Sequence, residues 1–350
     1  MSTLLNNETS NADIKEMKLS SKSDMIISKT PLRMSFVGGG SDMASFYQEE
    51  PGAVVTTAID KYIYITVKNR FEDGFRISYS KTEIVSKVEE IEHRLVRAAL
   101  QKLGFINGFE ITTMADIPSK GTGLGSSSSF TVGLLNALHA YRKEFSSAEN
   151  LARESCEMEI IICQDPIGKQ DQYIAAYGGF NFIQFNSDES VFIDPIICSQ
   201  KTLNKLQDNL LIFYTGRTRN ASEILKEQNN NLKNNPSKKL ILKKMVRLAF
   251  DLKSELQKNN IDSFGEILHE NWILKKELSA NISNIAIDEW YDKALKAGAV
   301  GGKLLGAGGG GFLIFYADKE KHHAIKSSLS DLRHVEIQFE RQGSKIIFIH

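Results

Sequence analysis

The spacing of apolar and polar positions divides the chain into a strand-rich first half and a helix-rich second half. The folded part starts at Met25–Ile27, which reads as a strand leading into a loop from Pro31 to Asp42. Residues 53–68 (AVVTTAIDKYIYITVK) are rich in β-branched and aromatic side chains and predict one or two strands. Phe75–Ser80 predicts another. Val88, Ile91, Leu95, Ala99 and Leu103 recur at helical spacing, with Gly104 following as a stop. A strand over Phe109–Met114, a glycine- and serine-rich segment at 121–129 and a helix over Phe130–Arg142 come next. A helix at about 146–163, a polar loop and a strand over Gly179–Phe185 complete this half.

The second half opens on a strand at Leu210–Tyr214. Leu240, Ile241, Met245, Leu248, Leu252 and Leu256 form one apolar helical stripe, and Phe264, Ile267, Leu268 and Leu274 form another. Between the strand and these stripes, Asn229–Pro236 is asparagine-rich and reads as a mobile surface loop. Strands close the chain at Phe312–Tyr316, Val335–Phe339 and Ile346–Ile349. Strands and helices mix without regular βαβ alternation, which predicts an α+β protein rather than a doubly wound sheet. Residues 1–24 are polar and read as a disordered extension, with domains expected over 25–195 and 196–350.

Composition narrows the function by exclusion. Lys plus Arg and Asp plus Glu both total 43, so no general field draws the chain to nucleic acid or to an anionic membrane. No window approaches the roughly 18 apolar residues of a membrane span. Residues 1–24 lack the apolar core of a secretory signal, and a cytoplasmic location is expected. Cys156, Cys163 and Cys198 fit no zinc spacing, and an odd, sparse count argues against a disulfide framework. Oligomeric state stays open, a homodimer included.

Three glycine-rich segments carry the candidate chemistry. Gly121-Thr-Gly-Leu-Gly-Ser-Ser-Ser-Ser129 stands between a strand and a helix, where free amides and the helix dipole favour an anion and glycines let the backbone curl around phosphate. The lysine of a GxxxxGK[ST] loop is missing. Gly301–Gly311 (GGKLLGAGGGG) contains a formal GxGxxG at Gly306, Gly308 and Gly311. A strand rather than a helix follows it, and too little chain remains for the rest of the unit, which leaves a dinucleotide-binding oxidoreductase the weakest option. A close approach of backbone to a ligand or loop and a plain tight hairpin remain equal alternatives. In Pro31-Leu-Arg-Met-Ser-Phe-Val-Gly-Gly-Gly-Ser-Asp42, Arg33 and Asp42 offer a cation for phosphate and a carboxylate for hydroxyls, or simply a pair pinning a loop. Finally, Pro166-Ile-Gly-Lys-Gln-Asp-Gln172 sets an acid beside a lysine. That pair is either a surface contact or, in a kinase, the group orienting the attacking hydroxyl and the cation offsetting phosphoryl charge.

In this order the motifs resemble the GHMP kinase superfamily over nearly all the chain from about Ile26. Within it, PLRMSFVGGGSD and PIGKQDQYIAAYGGFN are similar to the D-glycero-D-manno-heptose 7-phosphate kinases rather than to galactokinases or mevalonate kinases. The resemblance implies an N-terminal domain like the second domain of ribosomal protein S5, with a left-handed βαβ crossover, and a ferredoxin-like C-terminal domain with added helices. ATP and a sugar phosphate would meet between them. It implies phosphate binding by Gly121, Thr122, Gly123, Leu124, Gly125, Ser126, Ser127 and Ser128, with Ser127 and Glu159 at magnesium. Asp171, Arg33 and Lys169 would be catalytic. Arg33, Gly39, Gly40, Ser41, Asp42, Gly179, Arg217, Arg219, Gly308 and Gly309 would bind the sugar phosphate. A kinase of an unphosphorylated sugar such as fucose, and a non-catalytic nucleotide-binding regulator, are the alternatives.

Overall fold

The computed structural model describes residues 25–106, 108–118, 121–217 and 221–350; the extension expected over residues 1–24 lies outside them. β1 (Met25–Val37) runs straight through Pro31, so the expected loop shrinks to Gly38–Asp42. Its ladder with the next strand slips between Pro31 and Leu32, the kind of irregularity at which a strand tolerates proline. After a short helix α1 (Ala44–Tyr47), β2 (Gly52–Asn69) is one 18-residue strand. Gly52–Ile59 is buried throughout because both faces are covered. Beyond it, Ile63, Ile65 and Val67 point inward while Tyr62, Tyr64 and Thr66 are half-exposed.

β3 (Phe75–Ser78) and β4 (Thr82–Val85) form a hairpin, and α2 (Arg94–Lys102) crosses to β5 (Phe109–Ala115), which lies parallel to β3. The helix expected from Val88 starts only at Arg94, after a single 3₁₀ turn at Val88–Glu90. α3 (Ser126–Tyr141) packs on β1 and β2. α4 (Ala148–Cys156) passes into a π-helical turn at Glu157–Ile162. A further helix, α5 (Gln170–Tyr177), occupies what the sequence suggested was polar loop, and β6 (Phe180–Phe185) and β7 (Val191–Pro195) follow. α6 (Gln200–Asp208) leads to the second half.

There, β8 (Leu210–Tyr214), α7 (Ala221–Asn234), α8 (Pro236–Gln257), α9 (Phe264–Lys276), α10 (Ile285–Lys296), β9 (Gly301–Leu304), β10 (Phe312–Tyr316) and α11 (His322–Ser328) succeed one another. The asparagine-rich stretch is not a loop: Asn229, Asn230 and Asn231 lie within α7. Ile224, Gln228 and Leu232 are buried on one face of that helix, and Asn231 Nδ2 donates to the Leu278 carbonyl at 3.0 Å. The strand expected over Val335–Phe339 reduces to β11 (Arg333–His334), on β8, and β12 (Phe339–Glu340), on β2. β13 (Lys345–Ile349) then pairs with β1.

Two sheets result, one ordered β13–β1–β2–β5–β3–β4 with β6, β7 and β12 attached through β2, the other β11–β8–β10–β9. Residues 339–349 therefore complete the sheet of the first half, on the far side of the boundary expected at 195. One core holds Phe36, Phe75, Phe109 and Phe185, while a second, around Trp272, Phe213 and Phe315, backs the smaller sheet.

Candidate active site

Gly121, Gly123 and Gly125 all adopt positive φ (66, 77 and 76°), which turns the backbone sharply into α3. Gly125 is the N-cap, so the helix begins at Ser126 rather than at Phe130 and leaves its first amides facing outward. Ser129 Oγ donates to the Pro31 carbonyl and Ser28 Oγ to the Gly133 carbonyl, both at 2.8 Å, fixing this helix end against β1. Gly121, Thr122, Gly123, Gly125, Ser126, Ser127 and Ser128 line a cleft of about 280 Å³ whose walls come from both halves of the chain. Leu124 does not line it: its side chain is in the core and its carbonyl accepts the Arg33 N–H at 3.0 Å.

The late glycine run is both of its alternatives at once. β9 and β10 pair antiparallel around it, making a hairpin. Gly306 also presses so closely on Gly123 that a Cβ on Gly306 would overlap that backbone. Gly306 and Ala307 line the cleft. Gly308 and Gly309, expected at the substrate, do not: a Cβ on Gly308 would strike the Ile282 backbone, and the Gly309 N–H donates to the Ile282 carbonyl.

Asp171 lies in the first turn of α5, not in a loop. Arg33 grips it with two bonds, Nε to Oδ1 at 2.8 Å and Nη2 to Oδ2 at 2.6 Å, while Nη1 donates to the Gly123 carbonyl at 2.6 Å. One guanidinium thus ties the carboxylate to the phosphate-loop candidate. Asp42 pins the loops around this pair. Its Oδ1 accepts from Gly40 N–H at 2.9 Å and its Oδ2 from Gln170 N–H at 3.2 Å, and burial and the Asp171 charge raise its pKa. Gly39, Gly40 and Asp42 line the cleft. Ser41 does not, because its hydroxyl is buried and donates to the Gly38 and Ala53 carbonyls.

Ser127 Oγ donates to Glu159 at 3.0 Å, and Gln172 Nε2 donates to the same carboxylate at 2.6 Å. Glu159 sits fully buried in the π-helical turn, where burial pushes its pKa up to about 7 against the hydrogen bonds it accepts. A magnesium ion fits this pair: both donors are hard oxygens, one carboxylate beside nucleotide phosphates is the usual protein share of such a site, and a cation would relieve the buried charge.

The other predicted residues fall elsewhere. Lys169 pairs with Glu189 and lies over the Tyr47 ring, turned from the cleft. Gly179 is locked into the sheet, its N–H donating to the Glu340 carbonyl. Arg217 lies 5.4 Å from the Trp290 ring, and Arg219 is outside the described residues. In their place the cleft holds Lys275 and Lys303, both buried. Lys303 Nζ donates to the Ser35 and Phe36 carbonyls at 2.7 and 3.1 Å, and Asn271 Oδ1 accepts from Gly38 N–H at 3.0 Å, so the second half anchors the end of β1. Lys275 Nζ donates to the Gly306 carbonyl. The signal for Lys275 was available: with Phe264, Leu268 and Asn271 it lies on the inward face of α9, where a lysine is out of place.

The family model of the GHMP kinases N terminal domain matches residues 83–179 and that of the GHMP kinases C terminal matches residues 252–332, together just over half of the chain. The chain belongs to the GHMP kinases. Its relatives include the D-glycero-alpha-D-manno-heptose 7-phosphate kinase of Campylobacter jejuni, 29% identical over 338 residues, which are 91% of this chain and 98% of that one. The bifunctional fucokinase/GDP-fucose pyrophosphorylase of Arabidopsis thaliana is 28% identical over 333 residues, 86% of this chain but 31% of that protein. Among solved structures, a D-glycero-D-manno-heptose 1-phosphate kinase from Bacteroides thetaiotaomicron superposes with a TM-score of 0.75 at 24% identity, covering 93% of this chain and 99% of that one, which shows a common fold. No described helix is long and apolar enough to cross a membrane.

Proposed function

We propose that the chain transfers the γ-phosphoryl group of ATP to the anomeric C1 hydroxyl of D-glycero-D-manno-heptose 7-phosphate. The product would be the 1,7-bisphosphate, made in the cytoplasm for nucleotide-activated heptose and bacterial surface polysaccharide. The observation that carries the chemistry is the Arg33–Asp171 pair beside the glycine-rich start of α3. The heptose phosphate is supported by the name of the Campylobacter jejuni relative.

The amides of Gly121–Ser128 hold the nucleotide phosphates, and Ser127 and Glu159 hold magnesium, which when bound offsets phosphate charge. Each Asp171 oxygen keeps a second lone pair beyond Arg33, free to accept the acceptor hydroxyl's proton or to orient it in line with the γ-phosphorus. Arg33 fixes that carboxylate relative to Gly123, so positioning supplies most of the rate. The developing phosphoryl charge falls to Lys275, which replaces Lys169 in that role.

A free sugar such as fucose is the second reading. It is favoured by the position of Lys169 and Arg217, neither of which lines the cleft to meet a sugar's own phosphate. ADP release with Mg·ATP decides between them, comparing the heptose 7-phosphate with fucose, galactose and mannose. Turnover confined to the heptose phosphate is expected. Turnover confined to a free sugar would overturn the substrate, and ATP binding without turnover on any sugar would overturn the kinase reading in favour of a regulator.

A further inference from the structure

Three residues that line the cleft each carry a buried side-chain polar atom with no hydrogen-bond partner among the described residues: Ser35 Oγ, Gln170 Oε1 and Gln228 Nε2. Native interiors seldom leave such atoms unpaired without a ligand or water to meet them. The three side chains also lie along one short stretch of backbone, Gly39–Gly40. A Cβ built on Gly39 would lie 3.7 Å from Ser35 Oγ and 3.8 Å from the Gln170 amide nitrogen, and one built on Gly40 would overlap the Gln228 amide. They surround the Gly39–Gly40 backbone from three elements: β1, the start of α5 and α7. Gln228 is 2% exposed and stands between Ile224 and Leu232 on the inward face of α7, a position where packing alone selects an apolar side chain.

We propose that Gln228, with Ser35 and Gln170, forms the subsite that reads ring hydroxyls of the acceptor, and that Gln228 determines specificity. This rests on the kinase reading above and refines it. The donor and acceptor mix selects the group. Gln228 Nε2 must donate, Gln170 Oε1 must accept and Ser35 Oγ does both, so the matching partner is a run of hydroxyls. A phosphate or carboxylate is disfavoured, because Gln170 Oε1 and the neighbouring Asp42 carboxylate would face its negative charge. An apolar ligand would leave all three atoms unpaired. Gln228 belongs to the second half and its two companions to the first, so a bound sugar ring would bridge the halves.

The test is a cycle of Gln228→Leu against acceptors lacking one ring hydroxyl, read as kcat/KM for ADP release with the Kd for Mg·ATP as the fold control. Leucine suits the apolar face of α7. Gln228→Leu is expected to lose about 10–100-fold in kcat/KM on the full acceptor, chiefly through KM, with nucleotide affinity unchanged. One deoxy acceptor should fail by a similar factor with the unaltered protein and suffer no further loss with Gln228→Leu. Ser35→Ala, which removes only a hydroxyl, repeats the cycle should Gln228→Leu not fold, and a Ser35→Ala protein without a matching deoxy acceptor would then overturn the proposal. Equal losses on every deoxy acceptor in both proteins, or an unchanged KM, would also overturn it while leaving the kinase reading standing. ADP release on no sugar by the unaltered protein would overturn both.

Discussion

Asp171→Asn separates two roles that the structure gives one carboxylate. The side chain keeps its shape but trades one acceptor for an amide, which then faces an Arg33 donor. Of the two bonds at 2.8 and 2.6 Å, one survives. A charge-assisted hydrogen bond contributes about 1.5–3 kcal/mol. The donor left unpaired belongs to Arg33, whose side chain is only 5% exposed, so water reaches it poorly and the upper end applies, about 2–3 kcal/mol. In a chain of this length that is a Tm drop on the order of 3–4 °C. The Arg33 Nη1 bond to Gly123 is untouched, so Mg·ATP affinity should hold within about threefold. Turnover, by contrast, should fall by roughly 10²–10⁴ with KM for the acceptor little changed, because the base acts on the hydroxyl in the transition state. Three readouts on one preparation check this: ADP release at saturating substrates, ATP affinity by calorimetry and thermal unfolding. Turnover within a few-fold of the unaltered enzyme would refute the assignment. So would a fall in ATP affinity as large as the fall in turnover, which would make Asp171 a strut of the phosphate loop.

The remaining predictions concern the contacts between halves. Burial, with the Arg33 charge, lowers the Lys275 ammonium to about 8; kcat/KM should therefore decline as pH rises through about 8, and Lys275→Met should lack that limb. Stability runs the other way: between about 8 and the ordinary 10.5 the unfolded chain binds more protons, so the stability of the unaltered protein relative to Lys275→Met should rise over this window. Identical pH profiles in both proteins would remove Lys275 from the mechanism. Gly306→Ala places a Cβ into the Gly123 backbone at a positive φ of 78°, and Mg·ATP affinity should fall at least about tenfold by calorimetry; unchanged affinity would show that the two glycine segments do not act as one cradle.

Much of the fold was legible where local pattern and burial coincide. The alternation in β2, the stripes of α8 and α9 and the glycine-rich start of α3 all reflect a periodicity that packing then uses. The misses share a cause. α5 is eight residues long and its apolar residues form one run, Tyr173–Tyr177, rather than a helical stripe, and the asparagines of α7 have poor helical propensity, yet Ile224, Gln228 and Leu232 bury one face of that helix and hold it. β11 and β12 are two residues each, too short for any period, and exist only because β8 and β2 offer them an edge.

The site divides the same way. The candidates that share the cleft, Arg33, Asp171, Gly121, Gly123 and Gly125, each stand in a short motif dense in glycine or charge, which a sequence displays directly. Those placed across the cleft were missed, because Lys275 and Gln228 reach it only when α9 folds against β1 and α7 against α1 and α8. Both are nonetheless marked by one anomaly, a polar residue on the inward face of its element. The same anomaly at Asn271 is answered by the Gly38 backbone, and at Lys303 by the Ser35 and Phe36 carbonyls, so those two side chains serve the scaffold. Gln228 Nε2 has no such answer among the described residues, and Lys275 Nζ donates to the carbonyl of a glycine that itself lines the cleft. A missing partner alone does not mark a ligand-facing residue, since Trp272 Nε1 and Ser155 Oγ also lack one among the described residues away from the cleft; the mark is a missing partner on a residue that lines the site.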